Sequence, residues 1–251
     1  MPAARAACAW RRRRDVGDRA ARGKAEYVAL RKILSSELNV RATRKSGHAM
    51  VIKVMRRIVP EGALSGEVTA EERAAVPEEF YAVEFANPTR GAVVARGREA
   101  GEGEGKGEGG SVGVKSTYTC DEREVREFLS SPATRFHRAA HAYAVAGDAF
   151  DVGDFHVKIC RVETAVGAYV GTILDVSYRA TSDASTARRV LEEYAAHASA
   201  AANARAESED ELGDFIFRDL RSSCPPSVYD EPAGDLQCAI SYVDALRELR
   251  R

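Results

Sequence analysis

The stretch that decides the fold runs from Ala142 to Tyr178 and reads AYAVAGDAFDVGDFHVKICRVETAVGAYVGTILDVSY. It contains three consecutive runs of the residue types that favour β-strands, joined by two short turns. The first turn lies at residues 151–154, where Gly153 can adopt a positive φ, and the second lies at residues 166–168. Because short turns join antiparallel neighbours, the stretch predicts an antiparallel meander.

Alternation along two of these runs indicates half-buried strands. In residues 154–162 the apolar set Phe155, Val157 and Ile159 alternates with His156, Lys158 and Cys160. In residues 169–178 four side chains share one predicted face: Val170, Leu174, Val176 and Tyr178. No catalytic group is needed to explain either pattern.

Length and composition place the chain among soluble globular proteins. It has 251 residues, of which 45% are apolar and 30% are charged, so it can bury a sizeable core. The formal net charge of -1 gives no reason to expect binding to nucleic acid or to an anionic membrane. The first fourteen positions hold Arg5 and Arg11–Arg14 without an acidic residue, and we predict that residues 1–17 form a disordered basic arm. An organelle transit segment and a nuclear-import patch are the alternatives for this arm.

The cysteine pattern bears on the compartment and on metal binding. The five cysteines, Cys8, Cys120, Cys160, Cys224 and Cys238, are odd in number, widely spaced and contain no Cys-x-x-Cys pair. The pattern argues against a disulfide framework and a zinc cluster, and it fits a reducing compartment. No run approaches the roughly eighteen apolar residues that a membrane span requires.

The flanking segments predict helices and further strands around the meander. Helical spacing predicts helices at residues 18–38, 121–131, 182–206 and 236–249, with Ser182 or Asp183 capping the third. Strand patterns lie at residues 47–58, 79–85, 92–96 and 114–119, and residues 212–220 are ambiguous. We therefore predict that residues 18–251 form a single α+β domain with a largely antiparallel β-sheet or barrel-like core and flanking helices. The Gly/Glu-rich run at residues 97–113 interrupts this domain as a flexible and dispensable surface loop.

Two motifs in that loop resemble catalytic or phosphate-binding signatures. Gly109–Gly113 matches the Gly-x-Ser-x-Gly of a nucleophile elbow, but a flexible loop precedes it and a strand follows it, where the elbow requires a strand and then a helix. Gly105-Lys106 has no Ser or Thr after the lysine to hold magnesium, and the neighbouring glutamates would repel a phosphate. We interpret both as chance matches in a glycine-rich run.

Histidines and carboxylates provide no further constellation. His137 and His141 are four residues apart, but Arg138 follows the first histidine where a zinc protease needs its glutamate base. His156 is predicted to be exposed on its strand. The aspartates Asp148, Asp151, Asp154 and Asp175 are predicted to lie mainly at turns. We therefore predict no catalytic, cofactor-binding or metal-binding residue, and no cofactor.

The residues of Val152–Tyr178 also resemble a known family. VGDFHVKICRV, a short spacer and YVGTILDVSY resemble the Mediator complex subunit 20 family, in which a Gly-Asp-Phe strand precedes a Gly-x-x-x-(Glu/Asp)-Val-x-Tyr strand. The resemblance extends over about residues 47–251 and is strongest at residues 142–194. Trp10 is a poor match for the N-terminal tryptophan strand of that family, and the Gly/Glu run resembles an insertion.

The resemblance implies an architecture and a function. It implies a barrel-like sheet with flanking helices and a non-catalytic subunit of the Mediator head module. Such a subunit would be a protein-interaction adaptor and transcription coregulator, acting in the regulation of RNA polymerase II transcription in the nucleus. The implied partners are Mediator subunit 18 and other head-module subunits in a hetero-oligomer, with RNA polymerase II contacted indirectly, and with no membrane and no direct nucleic-acid partner.

The same resemblance raises an enzymatic alternative. The family fold resembles that of triphosphate tunnel metalloenzymes, so a phosphohydrolase or an RNA-phosphate-binding protein is the alternative hypothesis. Those enzymes hold divalent metal on paired strand glutamates, whereas the predicted strands here offer Glu84 and Glu163 singly, and the Glu102/Glu104 pair lies in the loop. We therefore rank an interaction subunit above an enzyme, and a nucleic-acid binder with a basic arm third. Tyr169, Tyr242 and Leu246 are candidate partner anchors, with core packing as the alternative for each.

Overall fold

The structure of the chain is a computed structural model, and it describes residues 4–13, 19–37, 45–58, 79–86, 90–95, 116–207, 209–218 and 234–251. The strands in these residues are β1 Ala4–Arg12, β2 Lys45–Arg57, β3 Glu79–Phe85, β4 Arg90–Ala95, β5 Ser116–Asp121, β6 His137–Val152, β7 Phe155–Thr164, β8 Tyr169–Tyr178 and β9 Gly213–Ile216. The α-helices are α1 Arg19–Glu37, α2 Glu122–Ser130, α3 Ala184–Asn203 and α4 Asp235–Arg250. None of the helices in the described ranges is both long enough and apolar enough to span a membrane.

The strands form one antiparallel sheet in the order β5-β4-β3-β2-β6-β7-β8-β1-β9. The predicted meander lies at its centre, where β6 pairs with β7 and β7 with β8. Both predicted turns contain a glycine with positive φ, 56° at Gly153 and 81° at Gly167. The predicted α+β class, with a largely antiparallel sheet and flanking helices in a single domain, is confirmed. The sheet is open, since within the described residues its edge strands β5 and β9 do not pair with each other.

The N-terminal segment is a strand, so the prediction of a disordered arm over residues 1–17 is wrong for Ala4–Arg12. β1 lies between β8 and β9, with Ala4 opposite Tyr178 and Trp10 opposite Phe215. Its central side chains are buried on both faces: Ala6, Ala7, Cys8, Ala9 and Trp10. The composition of the segment suggested an arm because its pairing partners are far away in the sequence. Trp10 therefore does stand on an N-terminal strand, and its ring packs edge-on against Phe215 at 4.8 Å between centroids.

The sheet curls, and each face carries its own core. α4 packs against β1 and β8 near one edge of the sheet and also against β4 and β5 at the other edge. One helix can reach strands near both edges of a nine-stranded sheet only when the sheet bends around it, so α4 lies on the concave face. On the convex face α1 and α3 cover the end of the sheet that contains β8, and α2 covers β4 and β5.

A β-bulge corrects one predicted face. The pairing between β7 and β8 changes register between Val162 and Glu163. Leu174 and Val176 pack in the convex core, whereas Val170 packs against the concave core. The prediction that Val170 shares their face is wrong because an extra residue in the ladder reverses the alternation.

The four α-helices within the described ranges lie where the sequence predicts them. The side chain of Asp183 accepts hydrogen bonds from the backbone N–H groups of Ser185 and Thr186 and caps α3, as expected for one of the two candidate residues. Within the ambiguous residues 212–220, Gly213–Ile216 is the edge strand β9. The predicted loop at residues 97–113, with both of its motifs, lies outside the described residues.

Candidate functional site

A helix fills the concave face of the sheet. Twelve of the sixteen residues of α4 are buried. The sequence predicts a single apolar stripe on this helix, but the curled sheet surrounds it, and the side chains of Ile240, Tyr242 and Leu246 are fully buried. Among the residues that the structure describes, the side chains of α4 therefore pack directly against the concave face of the sheet.

Gly171 of β8 allows α4 to lie close to the sheet. A Cβ atom built on Gly171 would lie 2.5 Å from Cδ2 of Leu249, which is far inside van der Waals contact. A larger residue at this position would force the side chain of Leu249 to move away from the sheet. The glycine that follows the bulge thus helps to seat the helix.

A charged group is buried at the interface between α4 and the sheet, and we call it the Asp175 cluster: Asp175, Arg5, Lys158, Tyr242 and Cys160. The Arg5 guanidinium binds both carboxylate oxygens of Asp175, with Nε 2.7 Å from Oδ1. The Tyr242 hydroxyl donates to Oδ2 at 2.8 Å, and the Lys158 ammonium lies 3.5 Å from the same atom. The thiol of Cys160 lies 3.7 Å from the Tyr242 hydroxyl.

The cluster keeps Asp175 ionised. Burial alone would raise the pKa of this carboxyl, but the charge and hydrogen bonds of Arg5, with Lys158 and Tyr242, outweigh burial and hold the pKa well below its usual range. Burial lowers and Asp175 raises the pKa of Arg5, with a net rise. Burial, reinforced by the Asp175 charge, raises the pKa of Tyr242 well above its ordinary value. A carboxylate and a phenol with these pKa values do not exchange protons near neutral pH.

Burial raises the pKa of the three buried cysteine thiols. Burial raises the pKa of Cys160 to about 12, and it raises the pKa of Cys8 to about 12. Burial also raises the pKa of Cys238 to about 11. Because the thiolate is the nucleophile, these side chains are protonated and inert at neutral pH.

The arrangement can therefore join structural elements. Arg5 belongs to β1, Lys158 and Cys160 to β7, Asp175 to β8, and Tyr242 to α4. One carboxylate thus connects three strands and the central helix. A buried carboxylate with this many partners fixes the position of β1 beside β8 and the rotation of α4.

The structure separates the histidines. His137 is buried in β6, with its ring 5.1 Å from that of Phe80 between centroids, and the ring of His141 lies 6.2 Å from that of Tyr143. The prediction that His156 is exposed is wrong, since its side chain is 20% exposed and its Nδ1 lies 2.7 Å from Asp151. In the part of the chain that is described, no three His, Cys, Asp or Glu side chains come together as a metal site.

The two glutamates singled out from the sequence, Glu84 and Glu163, lie outside the concave face. Val83 packs in the concave core, so the next residue, Glu84, points to the convex side, where its carboxylate lies 2.5 Å from the ammonium of Lys53. Glu163 pairs with Arg161 at 3.1 Å. The guanidinium of that arginine lies over the ring of Tyr27 of α1, which also packs on the convex side. Neither carboxylate faces α4.

Two of the three predicted partner anchors are core residues. Tyr242 and Leu246 are fully buried inside the curl, so core packing, the alternative given for both residues, explains their positions. Tyr169 is partly buried. Its hydroxyl donates to Glu26 at 2.9 Å and lies 2.6 Å from the Thr172 hydroxyl.

Two shallow grooves flank α3 on the convex side. A groove of about 510 Å³ lies between α3 and β9, and one of about 480 Å³ lies between α1 and the C-terminal end of α3. In the first groove the side chain of Asn203 bonds both the N–H and the C=O of Gly213, each at 2.9 Å, and the Ser199 hydroxyl accepts from the N–H of Phe215 at 2.8 Å. Side chains of α3 thus form hydrogen bonds with the outward-facing backbone groups of β9. These groups are therefore not available to pair with a strand from another chain.

Sequence reasoning missed the Asp175 cluster. Asp175 was placed with the turn aspartates, but it lies in the middle of β8 and is 1% exposed. The available signal was a single carboxylate between Leu174 and Val176 in an apolar run, a pattern that requires a buried partner. The identity of that partner, Arg5, could not be read locally because it lies 170 residues away.

The chain matches no protein-family model and no curated protein. Solved structures with some likeness include the PH1012 protein of Pyrococcus horikoshii OT3, with a TM-score of 0.38, 9% identity, and coverage of 78% of this chain and 90% of that one. A proposed adenylate cyclase of Vibrio parahaemolyticus has a TM-score of 0.38, 10% identity, and coverage of 86% and 95%. The Schizosaccharomyces pombe Mediator head module has a TM-score of 0.32, 11% identity, and coverage of 78% and 92%. At these TM-scores and identities, none of the three likenesses bears on function.

Proposed function

We propose that the chain is a non-catalytic interaction subunit of the Mediator head type, an adaptor in the regulation of RNA polymerase II transcription in the nucleus. The observation that carries the proposal is the position of α4. The helix fills the concave face of the sheet, which is where a curled sheet of this kind would offer an enclosed site.

An enzyme site needs a concavity with converging polar groups and a group whose pKa suits proton transfer or nucleophilic attack. Here Asp175, Arg5, Lys158 and Tyr242, which lie inside the curl, bind one another in the Asp175 cluster. The carboxylate of Asp175 stays ionised because its neighbours lower its pKa. The thiol of Cys160 stays protonated because burial raises its pKa to about 12. Function through the outer surfaces is therefore the better account of this geometry.

The sequence resemblance at Val152–Tyr178 supplies the partner. It supports Mediator subunit 18 as the direct partner, with other head-module subunits in the same hetero-oligomer. An exposed part of the convex face suits this role. Between the areas covered by α1 and α2, the centres of β2 and β6 present the exposed Ala144 and the half-buried Val51 and Ala146.

A metal-dependent phosphohydrolase of the tunnel type is the second candidate, and one observation favours it. Arg5 and Lys158 place two cations against a single carboxylate beside the concave face, which is a local excess of positive charge. The positions of Glu84 and Glu163 on the opposite face weigh against it. Turnover of a nucleoside triphosphate with magnesium or manganese that survives Glu84→Gln and Glu163→Gln but is lost on Lys158→Gln would establish the enzyme and overturn the adaptor.

The adaptor is tested by affinity capture from nuclear extract of the source organism, with the bound chains identified by mass spectrometry. We expect head-module subunits, subunit 18 first among them. Lys53→Glu reverses a charge on the exposed convex face and should weaken capture of the partner while the thermal unfolding temperature stays unchanged. Ile159→Asp places a charge in the core and should abolish both folding and capture.

Arg123→Glu is the matched control for the charge reversal, because its side chain is 84% exposed on α2, away from the centre of the sheet. It should leave capture unchanged. The proposal would be contradicted if the captured proteins included no head-module subunit. It would also be contradicted if Lys53→Glu and Arg123→Glu weakened capture equally.

A further inference from the structure

The groove between α1 and the C-terminal end of α3 lies over the last residues of β1, and we call it the α1–α3 groove. Six apolar residues line it: Trp10, Ala25, Ala29, Leu30, Ile33 and Ala202. Its volume of about 480 Å³ lies within the usual range of ligand pockets, roughly 300–1,000 Å³. The groove is separate from the Asp175 cluster, since none of these residues belongs to that cluster.

Small side chains create the groove. The two helices contact each other, but Ala25 and Ala29 line the groove from α1 and Ala202 lines it from α3. Because an alanine side chain ends at Cβ, it cannot fill the space that a larger residue would occupy between two helices. Leu30 and Trp10 form a buried floor, whereas Ala25 and Ala29 are exposed. The groove is thus an apolar concavity that is open on its outer side.

Trp10 brings a hydrogen-bond donor into this apolar floor. Its ring packs against Phe215, but within the described part of the chain its indole N–H has no hydrogen-bond partner. The residue is 5% exposed, yet the indole nitrogen itself is not fully buried, so the N–H opens onto the groove that the ring lines. A largely buried donor without a partner is costly, and an acceptor that enters the groove removes that cost. The groove therefore suits a ligand that carries a hydrogen-bond acceptor next to an apolar group.

The mouth of the groove is acidic. Among the described residues that line it, glutamates outnumber arginines: Glu26, Glu207 and Glu211 against Arg12 and Arg205. Arg12 is paired with Glu26. Glu207 and Glu211 are exposed, and within the described ranges neither carboxylate pairs with a cation, although that of Glu211 accepts from the backbone N–H of Glu207 at 2.9 Å. The C-terminal end of the α3 dipole adds about half a negative charge. A cationic group is therefore favoured beside the apolar floor.

An extended peptide that alternates apolar and basic residues matches all three features. In an extended chain successive side chains point to opposite sides, so an apolar side chain can enter the floor while the next, a lysine or an arginine, stays at the acidic mouth. A backbone carbonyl of the same segment can accept from the indole N–H of Trp10. Nucleic acid and anionic lipid headgroups are disfavoured, because their phosphates would meet the carboxylates of Glu207 and Glu211.

We propose that the α1–α3 groove docks an extended segment of a partner subunit in which apolar and basic residues alternate; this inference rests on the proposed function, because it assumes that the chain binds other subunits. The test uses the full chain and the capped peptide acetyl-Leu-Lys-Leu-Lys-amide. Binding is followed by the emission of Trp10, the single tryptophan of the chain, whose ring lines the groove. We expect a saturable change in emission at peptide concentrations up to the millimolar range.

A double charge variant tests the acidic mouth. Glu207→Gln/Glu211→Gln keeps the size of both side chains and should weaken peptide binding at least about fivefold, because an exposed ion pair is worth up to about that factor. Glu127→Gln/Glu193→Gln is the matched control, since it removes the same charge from two helix positions elsewhere that are 64% and 71% exposed. The control should change the affinity by less than about twofold, as for a general charge effect.

A second pair of variants tests the apolar part of the groove. Ala29→Phe places an aromatic ring in the groove and should abolish the response to the peptide, while the thermal unfolding temperature stays unchanged because Ala29 is exposed. Val28→Phe adds the same ring at a neighbouring position of α1 that is 50% exposed and does not line the groove, so it should leave binding intact. If Ala29→Phe fails to fold, the glutamate variants keep the test.

Three outcomes would overturn the groove as a docking site: no saturable response from the wild-type chain, equal losses in groove and control variants, or equally tight binding of acetyl-Leu-Glu-Leu-Glu-amide. Octylammonium has an apolar chain and a cation but no peptide carbonyl, so tighter binding of octylammonium than of the peptide would overturn the peptide assignment. Formation of the complex with subunit 18 is measured separately by sedimentation. An intact complex without groove-dependent peptide binding refutes the groove alone, whereas groove-dependent peptide binding without a complex refutes the proposed function.

Discussion

Asp175→Asn tests the buried cluster directly. The substitution keeps the size of the side chain but removes its charge, so Arg5 and Lys158 lose their anionic partner. The side chains of Arg5 and Asp175 are 16% and 2% exposed, which places the pair among buried ion pairs. Breaking such a pair costs about 3–5 kcal/mol, because the remaining charge is left uncompensated. For a chain of this length each kcal/mol lowers Tm by about 2–4 °C, so we expect a fall of about 6–20 °C.

The chain contains a matched control and a built-in reporter. Asp214→Asn makes the same chemical change in a pair between β9 and the residue after β1, where Arg13 and Asp214 are 3.0 Å apart but 56% and 42% exposed. An exposed pair contributes about 0–1 kcal/mol. Urea unfolding followed by the fluorescence of Trp10, the single tryptophan and a buried residue of β1, compares the two variants. Equal midpoints for both variants would refute the structural role of the cluster.

The same pair predicts a pH dependence. The pKa of Asp175 is lowered in the folded chain, where Arg5 outweighs burial, whereas an aspartate in the unfolded chain titrates near ~3.9. Its contribution to the free energy of unfolding is therefore present above about pH 4 and is lost as the pH falls toward the folded pKa. The stability difference between wild type and Asp175→Asn should be constant from neutral pH to about pH 5 and should shrink below about pH 4. A difference that stays constant down to about pH 2 would contradict this assignment.

Three further predictions concern packing, the sheet edge and the thiols. Gly171→Ala should destabilise the fold by about 1–3 kcal/mol in urea unfolding, and by less in a Leu249→Ala background, where the clash is gone; equal costs in both backgrounds would contradict the close approach. Asn203→Ala should lower the free energy of unfolding by about 1–3 kcal/mol and promote self-association detectable by light scattering, because it frees the outer N–H and C=O of Gly213. Asn203→Asp should have effects of intermediate size. A variant that remains monomeric with unchanged stability would show that Asn203 does not protect this edge. Cys160, with its pKa raised to about 12 by burial, should resist iodoacetamide at pH 8 until the chain is unfolded, as followed by mass spectrometry; rapid labelling of the folded chain would contradict its burial.

Local patterns were sufficient for the elements whose signals are local. The meander β6–β8 follows from alternation together with two glycine turns, and the cap at Asp183 fixes the start of α3 within a residue. A bulge escapes this reasoning, because its position depends on the register of the partner strand. Val170 was therefore assigned to the wrong face.

The remaining elements depend on distant partners. From its sequence alone β1 resembles a basic arm, because the ion pair between Arg5 and Asp175 joins residues that are far apart in the chain. The central position of α4 depends on the curvature of a sheet of nine strands. The Asp175 cluster combines residues that lie far apart in the chain, since Arg5 and Asp175 are 170 residues apart. Residue spacing could not predict the cluster, because contacts between distant segments leave no periodic pattern in the sequence.

The most direct test of the central claim is sedimentation of the purified chain mixed with purified Mediator subunit 18 from the same organism. We expect a stable one-to-one complex at micromolar concentration, with an interface of the size usual for subunits, about 1,200 Å² or more. The complex should survive Arg123→Glu and weaken with Lys53→Glu. Two species that sediment independently, from a chain whose thermal unfolding shows it to be folded, would contradict the claim.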